Sequence, residues 1–168
     1  IQRSPGNQVL VVGSTSTTAE KSLVRELSGL GVTIISDYCQ NINELYSLAD
    51  CYVFPVVSAY DSIEIPLSIL EALASGIPVV STRFGGIADI SGECGENLIL
   101  VEEPDHIPLI VEEVRSRPSG TWTRANIAVF SWAMTADRLA KEYEAAMRGM
   151  SHHPRPNNVD HPKGLFGG

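Results

Sequence analysis

The residue types best suited to chemistry in this chain lie in residues 62–86, SIEIPLSILEALASGIPVVSTRFGG. Ser68, Glu71 and Ser75 recur three and four residues apart, a spacing that places them on one strip of a helix. A carboxylate among apolar helix residues needs a partner, and two ligand hydroxyls suit it because it is a double acceptor. The strip is therefore a candidate site for a sugar or a ribose. The alternative is that Glu71 pairs with a neighbouring protein group.

The helix that carries this strip is predicted to begin at Pro66, since a proline in the first turn loses no helix hydrogen bond. Apolar residues surround it on nearly all sides, so we expect it to be buried. Its first turn follows a predicted strand, and ligands of open α/β sheets bind at the carboxyl ends of strands. The backbone N–H groups of Leu67 and Ser68, at the positive end of the helix dipole, would receive a phosphate.

A second turn of interest, residues 82–86, follows the next predicted strand. Gly85 and Gly86 allow a close backbone approach or a positive φ angle. Arg83 would add positive charge beside a phosphate. The alternative is an ordinary strand-to-helix turn with a solvated arginine.

The elements that must position these residues alternate between strand and helix. Strands are predicted at residues 8–12, 32–35, 51–57, 77–81 and 98–101, and helices at 18–30, 41–49, 66–75, 85–90, 104–117, 121–130 and 132–147. The strands read as apolar on both faces, which is typical of a parallel sheet covered by helices on both sides. The pattern predicts an α/β fold with a doubly wound parallel sheet, followed by C-terminal helices.

Composition limits the class of protein. The 168 residues are 43% hydrophobic and carry a net charge of −8, so we expect one domain over residues 1–148, with a flexible tail at 149–168. An acidic chain without a basic run is a poor ligand for nucleic acid. The three cysteines form no C-x-x-C pair, which favours neither a metal site nor a disulfide framework. No apolar run is long enough to span a membrane, and a cytoplasmic location is expected.

Two longer segments resemble a known family. Residues 45–56 (LYSLADCYVFPV) and 64–90 (EIPLSILEALASGIPVVSTRFGGIADI) are similar to the C-terminal half of retaining glycosyltransferases with the GT-B fold, family 4 above all. The similarity extends over residues 9–143. It implies a Rossmann-like domain that binds a nucleotide-diphosphate sugar, UDP- or GDP-linked, with no cofactor and no metal.

The resemblance also implies roles for single residues. Glu71 would bind the ribose hydroxyls of the donor, and the amides of Leu67 and Ser68 would receive its diphosphate. Tyr38, in the loop after the second strand, would lie by the base. The Gly-Gly turn, Gly85 and Gly86, would lie near the donor.

The chain departs from the family pattern at three places. Ile63 stands where the family has a glutamate that contacts the donor sugar, and Glu64 beside it would take that role after a one-residue shift of the loop. Pro66 replaces a glycine and removes one phosphate-facing N–H. The basic Arg and Lys pair that contacts the diphosphate in this family is not visible before Val9.

The chain begins at Ile1 rather than Met, so we expect a fragment of a two-domain enzyme that lacks its N-terminal acceptor-binding domain. Such a fragment would transfer no sugar by itself. A lipid-linked acceptor, and with it peripheral membrane attachment through the missing domain, stays open. Two other readings stay open as well: a noncatalytic scaffold domain derived from the GT-B fold, and another GT-B enzyme such as a nucleotide-sugar 2-epimerase.

Overall fold

The structure, a computed structural model, describes residues 6–13, 21–58, 62–118, 121–122 and 127–148. The chain divides into two compact units, one ending at Ile127 and the other beginning at Ala128. The predicted tail at 149–168 lies outside the described residues, and the predicted domain over 1–148 stays a prediction. None of the helices in these ranges is long and apolar enough to cross a lipid bilayer.

Five short strands form two parallel sheets within the first unit. They are β1 (Leu10–Val12), β2 (Thr33–Ile35), β3 (Tyr52–Phe54), β4 (Val79–Thr82) and β5 (Leu98–Val101). β1 pairs with β2, and the other three lie in the order β3-β4-β5, with Val80 opposite both Val53 and Ile99. The parallel pairing confirms the predicted α/β class, although the described strands make two hydrogen-bonded sheets where the pattern predicted one.

Helices connect or follow the strands. They are α1 (Lys21–Gly29), α2 (Ile42–Leu48), α3 (Leu67–Ala74), α4 (Ile87–Cys94), α5 (Ile107–Ser116) and α6 (Trp132–Met147), with short 3-10 turns at Gly95–Asn97, Pro104–His106 and Ile127–Phe130. α4 begins two residues later than predicted, because Gly85 and Gly86 form the turn before it. Only Ile127–Phe130 of the helix predicted at 121–130 is described as helical, and residues 123–126 lie outside the described ranges.

The core of the first unit lies around β4, whose four residues are all buried. One cluster joins Val80 to Val101, Ile107 and Val114, and Trp122 packs against it. Ile69, Leu73 and Ile87 are fully buried. The buried face of α3 therefore packs on the three-stranded sheet, against β3 and β4.

The strands are less completely buried than the sequence pattern predicted. Only β4 is buried along its whole length, whereas Leu10 and Val12 in β1 are 44% and 42% exposed. The cause is unequal helix coverage: α1 packs along β2 but buries none of its own residues.

The second unit contains α6, which has local reasons to form. The Ser131 hydroxyl accepts a hydrogen bond from the Met134 N–H at 3.3 Å and caps the helix. Ion pairs four residues apart, such as Lys141 with Asp137 at 2.6 Å, add support along its surface.

Candidate functional site

The first turn of α3 presents free backbone donors at the carboxyl end of β3. Pro66 occupies the N-cap with φ −64° and ψ 127°, and its carbonyl accepts from the Ile69 N–H at 3.1 Å. The helix begins at Leu67, one residue later than predicted. In the first turn of a helix the N–H groups have no intrahelical acceptor, so those of Leu67 and Ser68 are available to an anion.

The predicted all-round burial of this helix is wrong. Ile69, Ala72 and Leu73 are fully buried, but Leu67 is 65% exposed and Glu71 is also exposed. α3 packs against α2, β3 and β4, and the face that carries Leu67 and Glu71 is left exposed. The strip that carries Ser68 and Glu71 therefore opens to solvent, as a binding strip must.

Glu71 has a protein partner from the neighbouring helix. The Tyr46 hydroxyl, on α2, donates to Glu71 Oε2 at 3.0 Å. Tyr46 is only 7% exposed, so the donor is buried while the acceptor is not. Burial, together with the hydrogen bond to Glu71 and its negative charge, raises the pKa of Tyr46 well above its usual 10. The phenol therefore remains protonated and keeps donating at neutral pH.

A second tyrosine holds Ser68. The Tyr52 ring meets the Tyr46 ring edge-on, with centroids 5.8 Å apart and planes at 75°, an arrangement that aromatic pairs favour. Burial is the largest cause that raises the pKa of the Tyr52 phenol, and a hydrogen bond from the Ser68 hydroxyl acts in the opposite direction. Of the three polar residues of the predicted strip, Ser68 and Glu71 each contact one tyrosine of the pair, whereas the Ser75 hydroxyl donates to the Glu71 carbonyl at 2.9 Å.

Glu64 and the Gly-Gly turn are in direct contact. Gly85 has φ +48°, and a Cβ added to it would lie 2.7 Å from the Glu64 carbonyl oxygen and 3.1 Å from Glu64 Oε2. The Gly86 N–H donates to that same carbonyl at 3.0 Å. Glycine is required at position 85 both by its backbone angle and by this close approach. The turn fixes Glu64 just before α3.

Arg83 lies beside this turn and carries a salt bridge. Its Nε is 2.8 Å from Glu102 Oε1, and both side chains are at least half exposed. Its backbone N–H donates to the Val101 carbonyl at 3.1 Å. The preceding Thr82 is buried, and its hydroxyl donates to the Val56 carbonyl, which joins the end of β4 to the loop after β3.

Tyr38 stands apart from this group. It follows β2, at the carboxyl end of the two-stranded sheet, and is 79% exposed. The structure therefore brings together Glu64, Leu67, Ser68, Glu71, Gly85 and Gly86 in one continuous region, and places Tyr38 on the other sheet.

The remaining chemically reactive side chains are the three cysteines and the possible metal ligands. Among the described residues, no three His, Cys, Asp or Glu side chains are grouped as a metal would need. All three cysteines are free thiols. Burial raises the pKa of Cys51 to about 12, against a smaller opposing effect of a backbone hydrogen bond at Val80. A thiol with such a pKa is a poor nucleophile.

Sequence reasoning missed Tyr46 and Tyr52 as parts of the site. Tyr46 lies within the helix predicted at 41–49 and Tyr52 within the strand predicted at 51–57, and neither was among the predicted site residues. The tyrosine hydroxyls could have indicated these contacts, because a buried tyrosine usually needs a hydrogen-bond partner for its O–H.

Comparison with known proteins now gives the family. The family model described as glycosyl transferases group 1 matches residues 1–116. A D-inositol 3-phosphate glycosyltransferase of Mycolicibacterium smegmatis is 31% identical over 169 residues, which cover 90% of this chain and 37% of the relative. An enzyme of the same name from Geodermatophilus obscurus is 31% identical over 96% of the chain and 38% of its own length.

A solved structure agrees with these relatives on the fold. The crystal structure of AviGT4, a glycosyltransferase involved in avilamycin A biosynthesis, superposes with a TM-score of 0.54 at 22% identity. The match covers 86% of this chain and 44% of that one. The chain thus spans little more than a third of the length of the curated relatives it matches. Its fold is that of a GT-B glycosyltransferase domain, and the chain belongs to the group 1 glycosyltransferase family.

Proposed function

We propose that this chain is the donor-binding half of a retaining glycosyltransferase, which transfers a sugar from a nucleotide diphosphate to an acceptor hydroxyl. The observation that carries the proposal is the arrangement of backbone amides and a carboxylate along the exposed face of α3. Free amides at Leu67 and Ser68 lie one helical turn, about 5 Å along the axis, from the exposed carboxylate of Glu71. One donor nucleotide could therefore place its diphosphate at the two amides and its ribose hydroxyls at the Glu71 carboxylate.

The neighbouring residues extend the site toward the rest of the donor. Glu64, held against Gly85, is proposed to contact the donor sugar. Gly86 lies beside it in the same turn. Arg83 is paired with Glu102 through Nε, and a guanidinium has five N–H donors, so others can reach a phosphate. Tyr38, after β2, is proposed to lie by the base.

In the proposed reaction, this chain binds the donor and stabilises the leaving diphosphate. The bond from the anomeric carbon to the diphosphate oxygen breaks, and a bond to the acceptor oxygen forms on the same face of the sugar. The acceptor proton passes to a phosphate oxygen of the leaving diphosphate. The Leu67 and Ser68 amides would stabilise the negative charge that develops on that diphosphate. The acceptor would be held by residues outside this chain, so the chain alone would transfer nothing.

The relatives support the proposal and suggest an acceptor class. Two are named D-inositol 3-phosphate glycosyltransferase. Another, from Mycolicibacterium hassiacum, is named MMP alpha-(1->4)-mannosyltransferase and is 28% identical over 60% of this chain and 26% of its own length. We infer a polyol or sugar hydroxyl as acceptor for the whole protein. No observation favours a scaffold or an epimerase over a transferase.

An NMR titration of the chain with UDP, GDP and their sugar conjugates tests the proposal. We expect one base to bind, with shifts centred on Ser68, Glu71 and Gly85. Glu71→Ala should weaken that nucleotide about tenfold, because it removes hydrogen bonds to a charged group. Glu26→Ala, the same change on the exposed surface of α1, is the matched control and should bind as the parent does. An absence of shifts at millimolar nucleotide, or equal loss in both variants, would overturn the proposal.

A further inference from the structure

The buried phenol of Tyr46 lies behind Glu71 and contacts it through a single hydrogen bond. The hydroxyl donates to Glu71 Oε2 at 3.0 Å, from α2 to α3. Tyr46 is 7% exposed, and its carboxylate partner faces solvent. A ligand on the exposed side of Glu71 would therefore never touch Tyr46. Whatever the Tyr46 hydroxyl contributes to binding must pass through the carboxylate.

The tyrosine is itself held in place. Its ring meets the Tyr52 ring edge-on at 5.8 Å between centroids, and Tyr52 in turn bonds Ser68. A tyrosine side chain has only two rotatable angles before its hydroxyl, so packing of the ring fixes the position of the hydroxyl oxygen beside Glu71. An exposed glutamate without such a donor samples several rotamers, which it would have to lose on binding.

The hydrogen bond leaves Glu71 competent as an acceptor. A carboxylate has two oxygens and about four lone-pair sites, and Tyr46 occupies one of them. The remaining sites can accept two neighbouring hydroxyls. Because its pKa is raised, the Tyr46 phenol stays protonated at neutral pH and can continue to donate to Glu71.

We propose that Tyr46 is a positioning residue, which pre-orients the Glu71 carboxylate toward the two ribose hydroxyls of the donor nucleotide and thereby sets the preference for a ribonucleotide. This inference rests on the proposed function. It predicts that the contribution of Tyr46 to affinity depends on two things: the Glu71 carboxylate and the ligand hydroxyls.

Titration calorimetry with Tyr46→Phe tests both dependences. The variant keeps the ring that packs on Tyr52 and removes only the hydroxyl. The ligands are UDP and GDP, each beside its 2′,3′-dideoxy counterpart, which lacks the hydroxyls. We expect Tyr46→Phe to weaken the ribonucleotide that binds by about tenfold and to leave the affinity for its dideoxy counterpart unchanged.

A double-mutant cycle with Glu71→Ala completes the test. If Tyr46 acts through Glu71, adding Tyr46→Phe to Glu71→Ala costs nothing further. Tyr52→Phe is the matched control, because it removes the hydroxyl bonded to Ser68 and leaves the Tyr46 bond intact. Its effect should be the same for the ribo and dideoxy ligands, since Ser68 belongs to the diphosphate end.

The outcomes separate this inference from the proposed function. Equal weakening of ribo and dideoxy ligands by Tyr46→Phe would mean a merely structural role and would overturn the inference, as would additive losses in the cycle. A ribonucleotide that Glu71→Ala weakens but Tyr46→Phe does not would leave the proposed function standing and remove Tyr46 from it. No binding of either nucleotide would overturn both.

Discussion

At the scale of single residues, two contacts of the candidate site each depend on the presence or absence of a single atom. The Tyr46 hydroxyl donates the hydrogen bond that orients Glu71, and removing that one oxygen removes the bond. The absent Cβ of Gly85 leaves room for the Glu64 carbonyl and carboxylate. Each contact can be altered by adding or removing one atom, so each role can be tested without remodelling the fold.

Gly85→Ala is expected to displace Glu64 and to destabilise the chain. The new methyl group would lie 2.7 Å from the Glu64 carbonyl oxygen, and alanine at φ +48° is strained. We expect a loss of about 1–3 kcal/mol in the free energy of unfolding, measured with urea. A nucleotide sugar should lose more affinity than the free nucleotide, because Glu64 is proposed to contact the sugar.

Gly92→Ala provides the comparison for that variant. Gly92 lies within α4, where an added Cβ meets nothing within 4 Å and φ is not positive. The change should stabilise the chain by about 0.5–1 kcal/mol, as alanine does in helices. Should Gly85→Ala prove as stable as Gly92→Ala, the contact with Glu64 would be too weak to position it.

At the scale of elements, the start of α3 is the proposed phosphate site. Pro66 at the N-cap already has the extended backbone that a following proline requires. Leu67 is 65% exposed and stands at the first helical position, where proline is well tolerated. This makes it feasible to delete one backbone N–H while the helix is kept.

Leu67→Pro is expected to weaken UDP or GDP about tenfold, since it removes one donor to a charged diphosphate. Leu67→Ala, which retains the N–H, should bind as the parent does. The corresponding nucleoside, with no phosphate, should bind both variants alike. Calorimetric titration gives the affinities, and thermal unfolding checks that both variants are folded. Equal affinities of the two variants for the diphosphate would place the phosphate elsewhere.

The sequence predicted these elements well where their pattern was local. Pro66, the apolar residues of α3 and the closing glycine defined that helix to within one residue at each end. The exposure of Leu67 could not be predicted, because it depends on which neighbours pack against the helix. The bond from Tyr46 to Glu71 spans 25 residues, and no spacing rule connects positions on two different helices.

The contact between Glu64 and Gly85 could not be predicted from the sequence for the same reason. The two residues lie on different loops, which meet because β3 and β4 are adjacent in the sheet. The resemblance to the family suggested that both lie near the donor, but the backbone approach itself required the structure. The family assignment, in contrast, depended on residue patterns within two segments, 45–56 and 64–90, and is confirmed.

At the scale of the whole molecule, stability and the site share the same buried groups. Tyr46, on α2, packs against Tyr52, in β3, and bonds Glu71 on α3, while Cys51 lies against the cluster around Val80. Burial is the largest cause of the raised pKa in all three. Folding therefore favours the protonated form of each group.

This arrangement predicts a loss of stability at alkaline pH. A group whose pKa is higher in the folded state contributes its full stabilisation below its unfolded pKa, near 10 for tyrosine. The contribution then declines as pH rises toward the folded value. Between pH 10 and 11 we expect Tyr46 alone to cost about 1 kcal/mol of unfolding free energy, and Tyr52 to add to that loss.

Urea unfolding at pH 9, 10 and 11 measures the effect, with Tyr46→Phe beside the parent chain. The variant lacks the ionisable hydroxyl, so its stability should fall less steeply over this range, whatever its value at pH 9. Cys51 and Tyr52 titrate in both proteins and cancel in the comparison. Parallel curves would show that Tyr46 ionises as easily folded as unfolded, which is incompatible with a buried phenol bonded to a carboxylate. The same result would remove the physical basis for Tyr46 as a fixed donor to Glu71. The pH dependence of unfolding therefore also tests the proposed role of Tyr46 in ligand binding.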